Sequence, residues 1–166
     1  MPKQKWLRMC GLTLLVVFAT LLLPFPSKGQ EGSSLLTYSL TAKPGNLQVN
    51  RMPGTNPPRS YQETFSFVVT DTKRTDYKGS APTCKTFDVE VAPVDMPDQP
   101  VWVWSKGQKF CQHVTTVNIP AGQSWPKTAV WKFTTADIKD GKYRATATFV
   151  PENGKATVDF EITSVQ

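Results

Sequence analysis

Val101–Ser124 reads VWVWSKGQKFCQHVTTVNIPAGQS, and its interpretation decides the fold. In Val101–Trp104 valines alternate with tryptophans, so both faces of the segment are apolar and neither is at ease in water. Such a strand is buried on both sides or offers one tryptophan face as a binding surface. A basic turn, Lys106–Lys109, follows it. Beyond the turn Val117 and Ile119 share one face, Thr116 and Asn118 the other, and Pro120-Ala121-Gly122 ends the run, as expected of a half-buried strand leaving a sheet.

The same period of two recurs on either side. Tyr38, Leu40 and Ala42 alternate with Ser39 and Thr41; Phe65, Phe67 and Val69 with Ser66; Phe87, Val89 and Val91 with Asp88 and Glu90. Downstream, Ala129, Trp131 and Phe133, then Tyr143, Ala145, Ala147 and Phe149, then Val158, Phe160 and Ile162 repeat the pattern. Helical periodicity is nearly absent. The expectation is an all-β chain of about eight strands, arranged as an immunoglobulin-like antiparallel β-sandwich. Asn153-Gly154 marks a tight hairpin in which both central residues take positive φ, and Thr135–Lys139 a single helical turn. Asn46–Ser60, with Pro53, Gly54, Pro57 and Pro58, reads as a long mobile loop, and Ala92–Pro100, with three prolines, as an extended, stiff crossover.

Lys3, Lys5 and Arg8 precede an apolar run, Cys10–Leu23, and then Ser27-Lys28-Gly29. This is the layout of a secretory signal over residues 1–29, with cleavage before Gln30 and one domain over 30–166; the alternative is an uncleaved N-terminal anchor. The run is shorter than the ~20 residues that span a bilayer, so no stable membrane insertion is expected after processing. Of 19 Lys and Arg against 13 Asp and Glu, four basic residues and no acidic ones precede Gln30, which leaves the remainder near neutrality at +2. A nucleic-acid partner would require Lys and Arg clustered on one face, whereas Lys73-Arg74 and Lys106/Lys109 read as solvated turns, and no nucleic-acid partner is expected.

The order of motifs resembles the BsuPI-type intracellular proteinase inhibitor family, a small β-sandwich module. The matching pieces are Phe87-Asp88-Val89, Val101-Trp102-Val103-Trp104-Ser105, Phe110-Cys111-Gln112, Ile119–Ser124 and Gly141-Lys142-Tyr143, within roughly residues 85–163. Val103 stands where Arg is usual, Cys111 interrupts the Phe-x-Gln step, and Ala92–Pro100 replaces a short turn.

Two cysteines follow the signal segment, Cys84 and Cys111, and in an oxidising compartment a disulfide between them is expected; the resemblance places their elements close together. A nucleophilic Cys111–His113 pair is the sharper alternative, but same-face neighbours on a strand lie about 7 Å apart, too far for a thiol–imidazole bond. His113 is the sole histidine, which excludes a blue-copper site and leaves a closed zinc site short of ligands. No catalytic residue, metal or cofactor is therefore expected. Trp102 and Trp104 are read as core packing or as a stacking surface, and Trp125 as partly exposed or as a plug over the sandwich end. Asp88/Glu90 and Asp159/Glu161 read as wet sheet surface.

The resemblance implies a non-catalytic inhibitor of a subtilisin-like serine protease, and the signal layout a secreted one. The candidate protein-binding loop is Ala92–Pro100, with Pro93, Asp95, Met96 and Pro97 at its centre, because a stiff loop lowers the entropic cost of docking. The competing expectation is a structural or adhesive envelope module that binds a protein or polysaccharide.

Overall fold

The computed structural model describes residues 35–51 and 59–165, so the expectations about the signal segment and its cleavage point lie outside the described residues. The described residues form ten strands: β1 (Leu36–Lys43), β2 (Asn46–Asn50), β3 (Ser60–Asp71), β4 (Tyr77–Ala81), β5 (Phe87–Pro93), β6 (Trp102–Val103), β7 (Thr115–Ile119), β8 (Ser124–Thr134), β9 (Gly141–Phe149) and β10 (Gly154–Val165). No helix occurs among the described residues, and the all-β expectation holds.

The strands form a three-stranded sheet in the order β1-β3-β8, a five-stranded sheet β2-β10-β9-β5-β6 and a two-stranded ladder β4-β7. The two larger sheets face each other across one core. Phe65 on β3 lies 5.7 Å from Phe160 on β10, and Trp131 on β8 stacks at 6.1 Å on Trp102 of β6. Alternation explains the layering: the inward positions of β3 and β9 (Phe65, Phe67, Val69; Tyr143, Ala145, Ala147, Phe149) are buried, and small alanines on β9 make room for rings from the opposite sheet.

Two strands depart from the expected eight. Asn46–Asn50 is not loop: Leu47 and Val49 are buried and the segment pairs with Glu161–Val165. That pairing is parallel, so the sandwich is not purely antiparallel. The chain changes sheets between β1 and β2 at Pro44-Gly45, where the Lys43–Pro44 bond is cis and Gly45 has φ 81°. Tyr77–Ala81 is the second addition, paired with β7.

The turns also differ from expectation. Thr135–Lys139 is a hydrogen-bonded turn closed by Asp137 N–H on the Thr134 carbonyl at 3.1 Å, not a helical turn. β9 and β10 are joined by the four residues 150–153, and only Asn153 takes positive φ (54°). Gly154 already belongs to the strand. Its lack of a side chain serves another purpose, because a Cβ there would run into the Tyr38 ring, which packs between Phe67 and Phe149.

Candidate functional site

Ala92–Pro100 is folded, not extended. β5 continues through Pro93; Met96 N–H then bonds the Pro93 carbonyl and Gln99 N–H the Met96 carbonyl, both at 3.1 Å, before Val101 N–H returns to Val91 O at 2.8 Å. Proline fixes φ but leaves ψ free, so three prolines accommodate two successive turns as readily as an extended run. Asp95, Met96 and Pro97 sit exposed at this tip, with Pro93 half-buried at its base.

The tip carries an apolar edge. Val94, Met96 and Val101 are 39, 45 and 46 % exposed. They form one side of a groove of about 530 Å³ whose other side is the end of the β8–β9 connection and the start of β9, Asp137–Tyr143. That second wall is anchored from three directions. Ile138 is buried in the core, the Tyr143 hydroxyl donates to Lys139 O at 2.7 Å, and Arg51 donates to Thr135 O (2.5 Å) and Ile138 O (2.7 Å).

Arg51 also pairs with Asp140 at 2.9 Å, and Asp140 accepts from the Ser164 backbone N–H and hydroxyl at 2.8 and 2.9 Å. The Ser164 hydroxyl, with the Arg51 guanidinium adding to it, holds the Asp140 carboxyl below its ordinary value. Sequence reasoning missed Arg51. It lies within the stretch Asn46–Ser60 read as a mobile loop, and its partners lie 84 to 113 residues away, with no local signal.

The tryptophans pack against the core. Trp102 contacts Phe65 and Trp131; Trp104 lies 4.3 Å from Phe87 and 5.8 Å from Phe110; Trp125 meets Phe149 edge-on at 5.3 Å. All three are partly buried, and the Lys127 ammonium sits 4.4 Å over the outer Trp125 ring. Only two residues of the Trp segment pair as strand, Trp102 with Val91 and Val103 with Glu90.

Asp88 is more than wet surface. It accepts hydrogen bonds from Val89 N–H, Ser105 N–H, the Ser105 hydroxyl and the Lys85 ammonium, which ties the strand Phe87–Val89 to the end of the Trp motif. Arg144 and Asp159, by contrast, form an exposed two-point ion pair across β9 and β10.

Cys84 and Cys111 form a disulfide, with Cα atoms 5.3 Å apart and an additional bond from Cys84 N–H to Cys111 O at 3.4 Å. The separation expected between Cys111 and His113 is corrected. Residues 111–113 are bent and precede β7, so the imidazole folds back to 3.4 Å from Cys111 Sγ and 3.8 Å from Cys84 Sγ. Bonded to each other, the sulfurs offer no thiolate nucleophile.

Comparison with known proteins gives one family match: the model of BsuPI, intracellular proteinase inhibitor, matches residues 55–154. No curated protein matches the chain. Similar solved structures include a cycloisomaltooligosaccharide glucanotransferase from Paenibacillus sp. complexed with cycloisomaltoheptaose (TM-score 0.40, 14% identity, covering 76% of this chain and 14% of that one). A Northeast Structural Genomics Consortium target (0.36, 8%, 78% and 86%) and a β-glucosidase from Kluyveromyces marxianus in complex with glucose (0.35, 12%, 76% and 14%) are similar at the same level. The chain thus spans only 14% of either carbohydrate enzyme.

Proposed function

Because the chain belongs to the BsuPI family of intracellular proteinase inhibitors, we propose that it inhibits a protease by seating the apolar edge Val94–Met96–Val101 against the enzyme. Membership in an inhibitor family makes the chain a non-catalytic one whose partner is a protease. The narrower reading, a subtilisin-like serine protease, belongs to this proposal. So does export: residues 1–29 act as a cleaved signal and residues from Gln30 form one secreted domain.

One observation carries the choice of surface. Three large apolar side chains stand together in solvent on a loop closed by two backbone hydrogen bonds, beside a wall pinned by Arg51. A loop held in place loses little entropy on docking, and apolar anchors at the centre of an interface carry much of its affinity. The turns place Met96 at a folded tip, so the contact is a knob that fills a pocket and not a strand added to the enzyme's substrate cleft.

The test is inhibition of a panel of serine proteases by the chain and by Met96→Asp. The parent is expected to inhibit at least one protease at micromolar concentration, and the variant to be at least about tenfold weaker, the loss expected for a central anchor. Inhibition that is equal in both moves the contact elsewhere on the molecule. No inhibition across the panel favours the envelope-binding alternative, which pull-down of an envelope protein or polysaccharide would establish.

A further inference from the structure

Three metal-ligating side chains converge outside the groove. Sγ of Cys84, Sγ of Cys111 and the His113 imidazole lie within 4.8 Å of one another, at a point where the β4–β5 and β6–β7 connections meet. We infer that these residues form a thiol-gated metal site: sealed while the disulfide stands, and a Cys2His site for a zinc-class ion once it is reduced. This inference is independent of the inhibitor reading.

The geometry supports it edge by edge. Tetrahedral zinc with Zn–S near 2.3 Å and Zn–N near 2.05 Å requires sulfur–nitrogen edges of about 3.6 Å and a sulfur–sulfur edge of about 3.8 Å. His113 Nε2 already stands 3.4 and 3.8 Å from the two sulfurs. Only the sulfur–sulfur edge is unmet, because the sulfurs are bonded. The Cys84 N–H to Cys111 O bond holds the two backbones together independently of that link, and the Thr115 hydroxyl donates to Cys84 Sγ at 3.6 Å, a contact that favours a thiolate there. His113 is exposed, so a fourth position remains open to water. A closed four-ligand site is not available, but a three-ligand open one is. Two sulfurs and an imidazole suit zinc, and cobalt(II) as its spectroscopic substitute.

The redox step balances with a thiol reductant. Two reductant thiols are joined as a disulfide while two electrons and two protons pass to Cys84 and Cys111, whose bond breaks to give two thiols. Binding of the divalent ion then releases those two protons to solvent as the thiolates coordinate.

The experiment uses the full chain in a Cys10→Ser background, so that no third thiol competes, with cobalt(II) added anaerobically before and after reduction. Reduced protein is expected to take up one cobalt(II) per chain with a thiolate-to-metal charge-transfer band that zinc abolishes; oxidised protein is expected to show none. His113→Ala should weaken cobalt binding to the reduced chain at least tenfold. No band after reduction, an equal band before it, or His113→Ala binding as tightly as the parent would overturn the inference. If reduction removes the β-sheet circular dichroism, zinc must restore it, because site formation and folding are then one equilibrium; failure to restore it counts equally against the site.

Discussion

Asp88 accepts two hydrogen bonds from one residue, Ser105: from its backbone N–H at 3.1 Å and from its hydroxyl at 2.5 Å. They stand seventeen positions apart in sequence, with the whole double-turn loop between them. The pair closes the loop at its base, with Trp104 N–H bonded to Val89 O at 2.7 Å on the adjacent backbone. Phe87-Asp88-Val89 and the Trp motif are therefore one hydrogen-bonded unit, and the apolar tip is carried on it.

Asp88→Ala is expected to destabilise the fold by about 1–3 kcal/mol, since it strands the partly buried Ser105 donors. Ser105→Ala, which keeps the backbone bond, should cost about 1 kcal/mol. Urea denaturation of the two single variants and the double variant checks this. Purely additive effects would show that the two residues do not act as a pair.

Glu63 is fully buried, and Gly45 N–H donates to it at 3.0 Å. Burial raises its carboxyl above the ordinary value of 4.5, more than the Gly45 bond lowers it. As pH rises past that value the unfolded chain gives up this proton before the folded one does, so the group withdraws stability with increasing pH until its folded-state titration is complete. Glu63→Gln should therefore be more stable than the parent at pH 7, with the advantage shrinking as the pH falls below about 4.5. Denaturation midpoints at both pH values decide it, and a Gln variant that is less stable at pH 7 would contradict the reading.

Arg51→Ala should release the groove's second wall without unfolding the sheets, because its bonds to Thr135 O and Ile138 O hold the β8–β9 connection while Ile138 and Tyr143 still anchor it to the core. Amide hydrogen exchange across residues 135–140 is expected to quicken, with protection in β9 and β10 retained. Unchanged exchange there would mean that Arg51 does not hold the wall.

Cys84→Ser/Cys111→Ser should unfold at lower denaturant while its far-ultraviolet spectrum remains that of a β protein. The bond closes a 27-residue separation, for which the chain-entropy model gives about 3.5 kcal/mol. A variant as stable as the parent would show that the bond adds nothing beyond the packing around it.

What the sequence determined by itself was the set of elements that announce themselves locally. Phe65, Phe67 and Val69, or Tyr143 through Phe149, alternate over enough residues for period two to identify a strand and its buried face, because the pleat turns successive side chains to opposite sides. Two cysteines in the resolved strands' connections likewise pointed to one bridge, and the order of short motifs pointed to the family. Tertiary structure alone decided the rest. Leu47 and Val49 are too few to mark a strand, and β2 exists because β10, more than a hundred residues on, supplies its hydrogen bonds. Whether three prolines make an extended arm or two turns depends on ψ, which proline does not set. Asp88 read as wet sheet surface and Arg51 lay in a stretch read as mobile loop; both acquired their partners only when distant backbone brought them within hydrogen-bonding reach. His113 was singled out beside Cys111, but an ideal strand kept the two apart, and only the bend at residues 111–113 and the approach of Cys84, 29 residues away, bring its imidazole to both sulfurs.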